Sequence, residues 1–117
     1  MAERSDVLDL TYAALAHPTR RAILEQLRDG QVRVTDLAQR FPAALATVSK
    51  HIQVLEKAGL VRREIQGRDH YLRADPSHLT EAEQWIADYT GFWQRGTDAL
   101  ARHLERGRTT PTAQGPT

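Results

Sequence analysis

The chain has no cysteine. That excludes disulfides and thiolate metal sites and fits a reducing, cytoplasmic setting. No apolar run approaches the roughly 20 residues that span a bilayer. The N-terminal residues Met1–Asp6 are charged, and no apolar signal-peptide core follows them. There is no Gly-rich phosphate loop, clustered carboxylate pair or Ser/His/Asp arrangement with a common site, so nothing supports an enzyme or calls for a cofactor. What is present suits one small domain of 117 residues, with enough apolar content (40%) to fill a modest core. So small a unit is only modestly stable alone, and dimerisation would help it.

The net charge of +1 hides a division along the chain. Residues 43–73 carry six cations (Lys50, Lys57, Arg62, Arg63, Arg68, Arg73) against three anions, a net +3. Residues 74–106 carry three cations against six anions, a net −3. A basic middle and an acidic end fit a polyanion at the middle, or simply two ordinary solvated surfaces.

The chain is organised around residues Thr35–Leu60. Thr35 is placed to cap a short helix whose one face holds Leu37, Ala38 and Phe41. Pro42 cannot continue that helix. In the next one, Leu45, Val48, Ile52 and Leu55 recur at spacings of three and four, a core-facing stripe. The other side presents Ala46, Thr47, Ser49, Lys50 and Gln53. Small residues allow close approach, and the donors suit phosphates and base edges. Gly59 ends the helix. The pattern is a helix-turn-helix.

Before it, residues 6–16 predict a helix with Val7, Leu8, Leu10, Tyr12 and Leu15 on a broad apolar side. Pro18 suits the first turn of a second helix, which runs to about Arg28 and carries Arg20 and Arg21 in its first turn. Those two arginines fit solvated positions or salt bridges at least as well as phosphate contacts. After it, Val61–Ile65 and His70–Arg73 flank the tight turn Gln66–Asp69, a hairpin. Its tip carries Arg68, with Arg63 and His70 nearby. Such a hairpin behind a recognition helix reads as a wing; the plainer alternative is a charge-blunted sheet edge. Asp75–Ser77 form a turn and cap, and a long helix follows from about Leu79 to Glu105. It holds Trp85, Tyr89, Phe92, Trp93, Leu100 and Leu104 near heptad spacing. So much aromatic surface on one helix points to a dimer interface, with a small-molecule pocket or internal core as alternatives. Gly91 and Gly96 inside that helix mark a close approach or a kink. The expected fold is mainly α: five helices and a two-stranded wing over residues 1–106, then a disordered tail over residues 107–117.

Residues Ala14–Leu24, with Ala16-His17-Pro18-Thr19-Arg20 at their centre, resemble the second-helix signature of the ArsR family of bacterial winged-helix repressors. Thr35–Ala38, Thr47–Ile52 and Val54–Val61 are similar to that family's helix-turn-helix in order and spacing. The likeness covers roughly residues 8–105. The resemblance implies a homodimer built from the first and last helices, with Leu8, Tyr12, Trp85, Tyr89, Phe92, Trp93, Leu100 and Leu104 at the interface. It also implies recognition helices in successive major grooves of a palindromic operator. Ala46, Thr47, Ser49, Lys50 and Gln53 would face DNA, with Arg63 and Arg68 from the wing. His51 would meet a phosphate when protonated or pack at the helix margin. Two departures stand out. Ala44 replaces the serine with which many relatives open the recognition helix, a cap worth about 1 kcal/mol. The metal-sensing branches' cysteines and carboxylate–histidine clusters are absent, and His78 and His103 would stand ~37 Å apart on a straight helix.

These readings lead to a dimeric, sequence-specific repressor on double-stranded DNA, off the membrane, with an unknown small-molecule effector left open. Two other readings stand: a winged-helix protein-interaction module, and a metal-responsive repressor with an intersubunit site.

Overall fold

The computed structural model describes residues 4–107. They form α1 (Arg4–Leu15), α2 (Pro18–Gln26), β1 (Val32–Arg33), α3 (Val34–Ala38), α4 (Leu45–Lys57), β2 (Val61–Gln66), β3 (Asp69–Ala74) and α5 (Ser77–Gly107). Two compact units divide between Glu83 and Gln84. The expected tail, except for Gly107, which ends α5, lies outside the described residues.

The first unit is built around one apolar cluster. Ile23 and Leu27 of α2 and its end, Leu37 of α3, Val48, Ile52 and Leu55 of α4, then Leu60 and Leu72 are buried together. Each such side chain contributes about 1.5–3 kcal/mol when fully buried. The α4 stripe is the one expected, except for Leu45, which is 51% exposed. The correction has a plain cause: residues 42–47 are all exposed, so the first turn of α4 stands clear of the core.

Three local expectations change. Thr35 caps nothing: α3 begins at Val34 with extended Arg33 at the N-cap and no side-chain cap bond. Arg33 is the last residue of β1, which pairs with β3, so the strand itself delivers the chain into the helix. Helix α3 also ends at Ala38, before Phe41; Phe41 packs against the core from the following turn. In α1 the fully buried positions are Thr11 and Ala14, while Leu10 is exposed. A helix cannot turn a broad apolar set to one side, and Thr11 tolerates burial because its hydroxyl donates to the Val7 carbonyl at 2.8 Å.

Helix α4 ends in a Schellman motif. The Leu60 N–H donates to the Leu55 carbonyl at 3.0 Å and the Gly59 N–H to the Glu56 carbonyl at 2.9 Å. Gly59 takes φ +77°, the left-handed conformation that this cap requires. The sheet is antiparallel in the order β1-β3-β2, so the expected two-stranded wing gains a short third strand. Register pairs Gln66 with Asp69 around a two-residue tip, Gly67-Arg68. Helix α5 starts at Ser77, two residues earlier than expected. The Asp75 carboxylate accepts from the Ser77 N–H at 3.0 Å and hydroxyl at 2.7 Å, and from Arg62 Nε at 2.6 Å. These bonds favour the ionised carboxylate and hold its pKa well below the usual carboxylate range.

In the second unit, the rest of α5, Trp85 stacks on Tyr89 with ring centroids 5.5 Å apart. Tyr89 meets Trp93 edge-on at 6.1 Å. These are i, i+4 contacts on one helix face. Phe92, Leu100 and Leu104 of the same helix are more than half exposed. Among the described residues no helix is long and apolar enough to cross a membrane.

Candidate nucleic-acid interface

The spacing that buries Val48, Ile52 and Leu55 leaves Ala46, Thr47, Lys50 and Gln53 exposed on the other side of α4. Ser49, between them, is half-buried. Ala44 occupies the N-cap in extended conformation, and no side chain caps the helix. The first turn of α4 thus offers backbone N–H donors at the positive end of the helix dipole.

His51 is turned away from this face. Its ring lies 4.3 Å from the His17 ring, centroid to centroid, and its Nδ1 is 3.2 Å from Arg20 Nη1. A guanidinium only donates, so His51 Nδ1 accepts and the ring is neutral. Burial, then His17 and Arg20, push its pKa below the ordinary histidine value. Of the two roles expected for His51, this geometry matches packing at the helix margin.

Arg20 and Arg21 pair with neither acids nor solvent alone. Arg20 donates to the Ala14 carbonyl at 2.8 Å and the Ala13 carbonyl at 3.0 Å, and Arg21 to the Leu15 carbonyl at 2.7 Å. Both guanidinium groups therefore complete the orphan carbonyls at the end of α1. His17 caps α2 by accepting from the Thr19 N–H at 3.1 Å.

The hairpin directly follows α4. Arg68 is exposed at its tip beside Gly67 (φ +65°), and Ile65 is 62% exposed nearby. Arg63 is placed differently from Arg68. Its Nε and Nη2 donate to Glu56 at 3.0 and 2.9 Å, and its Nη1 lies 3.0 Å from His70 Nδ1. The bond to Glu56 stabilises the guanidinium charge and raises its pKa. At the far end of α4, His78 Nδ1 donates to the Ala58 carbonyl at 2.9 Å. Tyr12, expected at a subunit interface, donates its hydroxyl to the Ala82 carbonyl at 2.8 Å. Among the described residues no three His, Asp or Glu side chains are grouped to hold a metal.

A helix with one polar exposed face, preceded by a short helix and turn and followed at once by a cationic hairpin, defines the class: a winged helix-turn-helix protein that binds nucleic acid. A helix-turn-helix domain model matches residues 15–64. The HTH-type transcriptional regulator Rv2034 of Mycobacterium tuberculosis is 34% identical over 97 residues, covering 83% of this chain and 88% of the relative. The transcriptional repressor SdpR of Bacillus subtilis is 26% identical over 67% of this chain and 87% of its own. The crystal structure of the ArsR family transcriptional regulator RHA00566 superposes with a TM-score of 0.74 at 37% identity, over 80% of this chain and 97% of that one. The chain belongs to the ArsR family of winged helix-turn-helix transcriptional regulators.

Sequence reasoning gave Glu56 no partner and missed the bonds that His17, Arg20 and His78 make to Thr19, to the end of α1 and to Ala58. Glu56 and Arg63 are seven apart in sequence on different elements, so no helix or strand periodicity signals their pairing. His17 ahead of Pro18 could have been found, because the residue before an N1 proline is a cap position.

Proposed function

We propose that this chain is a homodimeric transcriptional repressor that reads an inverted-repeat operator. The observation that carries the reading is the exposed, small and polar face of α4, with Ala46, Thr47, Lys50 and Gln53 set opposite the buried stripe Val48, Ile52 and Leu55. Thr47 and Gln53 read base edges in the major groove, with Ser49 at their margin. Ala46 lets the helix approach closely. Lys50 and Arg68 meet phosphates and make binding salt-dependent. Occupying a promoter then blocks polymerase. The stacked α5 aromatics, with Leu100 and Leu104, supply a surface for a second copy, since aromatic residues concentrate at such interfaces. The two-fold axis of that dimer matches the symmetry of the operator.

Fluorescence anisotropy on labelled DNA from upstream of the chain's own coding region, across a salt series, tests this. Lys50→Ala and Arg68→Ala each remove one phosphate contact per subunit, so in the dimer each should reduce the slope of log affinity against log salt by about 2. Binding that is equally weak on every fragment would remove the operator reading and leave a protein-interaction module.

A further inference from the structure

We propose that Arg63 is a positioning residue for operator recognition: with Glu56 and His70 it braces the wing against the recognition helix instead of meeting a phosphate. The inference rests on the operator-binding reading above. Three of the five N–H donors of Arg63 are already committed within the chain. Two form a parallel fork onto the Glu56 carboxylate, at 3.0 and 2.9 Å. The third lies 3.0 Å from His70 Nδ1, which must accept, because a guanidinium carries no acceptor. The Arg63 and Glu56 side chains are only 26% and 27% exposed. Glu56 cancels the charge that a phosphate would seek.

The location gives the contact its leverage. Glu56 stands in the last turn of α4, three residues past Gln53 and so one turn along the same helix. Arg63 lies on β2, on the sheet face that buries Val61. His70 lies opposite Ile65 on β3, so the brace grips both strands of the hairpin. The tip at Gly67-Arg68 stands four to five residues beyond Arg63, roughly 13 Å at ~3.3 Å per residue. A tilt of about 10° at the brace therefore moves the tip by roughly 2 Å, enough to break a hydrogen bond to DNA. The brace fixes the angle between what Gln53 reads and what Arg68 touches.

The test turns on a sign. Glu56→Gln removes a negative charge near DNA, so charge alone would tighten binding. The brace predicts about fivefold weaker binding, with the salt slope unchanged, the fold-change of about 1 kcal/mol of lost alignment. Arg63→Lys keeps the charge but loses the fork, and should weaken binding to a similar degree. The double variant Glu56→Gln/Arg63→Gln should be no weaker than either single glutamine variant. On the free protein, backbone order parameters of residues 64–70 should fall in Glu56→Gln while those of α4 hold. Unchanged or tighter binding by Glu56→Gln, or an Arg63→Gln salt slope lower by about 2 for the dimer, overturns the brace and makes Arg63 a phosphate contact. An equally ordered wing in free Glu56→Gln overturns it as well, whatever the DNA result. Failure of the unaltered protein to bind DNA would instead refute the repressor reading, while the order parameters still decide the brace.

Discussion

Replacing Gly59 with alanine should destabilise the fold by about 2–3 kcal/mol, for two separable reasons. The backbone at Gly59 has φ +77°, where an L side chain costs about 1–2 kcal/mol. A Cβ built there would also lie 2.5 Å from Nδ1 and 2.6 Å from Cε1 of His78. The imidazole must then move, and its 2.9 Å bond to the Ala58 carbonyl is lost, about 1 kcal/mol more. For a domain of this size the combined loss lowers the melting midpoint by on the order of 10 °C. The two parts separate in a double-mutant cycle by urea denaturation. In a His78→Ala background the steric part is gone, so Gly59→Ala should cost only the backbone strain, about 1–2 kcal/mol. Equal costs in both backgrounds would refute the claim that His78 occupies the space a side chain needs. A cost under about 0.5 kcal/mol in both would refute the left-handed cap itself.

Ile52→Ala empties the centre of the core beside Val48 and Leu55, and should cost about 2–5 kcal/mol by denaturant titration; a cost below 1 would contradict the packing described. His51 has a pKa lowered in the fold, so the unfolded chain takes up its proton first. Its contribution to stability is complete above about pH 6.5 and is lost as pH falls through the depressed folded value. Urea midpoints between pH 5 and 8 should fall less steeply with acid in His51→Asn than in the unaltered protein; parallel curves would refute that role. Trp93→Ala should weaken self-association about tenfold or more by sedimentation equilibrium, as for a buried aromatic anchor. An unchanged dimer, or a monomeric parent protein, would remove α5 from the interface.

The buried side of α4 was legible because helical spacing is a strong constraint: Val48, Ile52 and Leu55 must share a face, and the DNA-facing candidates then follow by exclusion. Gly59 was legible for a similar reason, since few residues adopt the conformation a Schellman cap demands. Leu45 fits the same spacing yet stays exposed, because periodicity says which side a residue is on and not how far the core extends along the helix. Thr35 failed as a cap because a neighbouring strand, two residues long, already fixes the start of α3. Arg20, Arg21 and Arg63 show the wider limit. From sequence Arg63 reads as a DNA contact, and Arg20 and Arg21 as solvated or salt-bridged at least as readily as phosphate-bound, but Glu56 and the α1 carbonyl groups take these guanidinium groups. Only the fold shows which partner is in reach. Lys50 and Arg68, both exposed, are the cations that the proposed DNA contact draws on.

The central claim is that α4 reads DNA as one half of a symmetric pair. A footprint of the purified protein across the DNA flanking its own coding region, at two salt concentrations, tests it most directly. The account predicts one protected inverted repeat, its half-sites about one helical turn or a whole multiple of it apart, and protection that fades at the higher salt. Protection abolished by Gln53→Ala at that repeat would tie the reading to the helix face. Uniform, sequence-independent protection, or none at either salt, would contradict it.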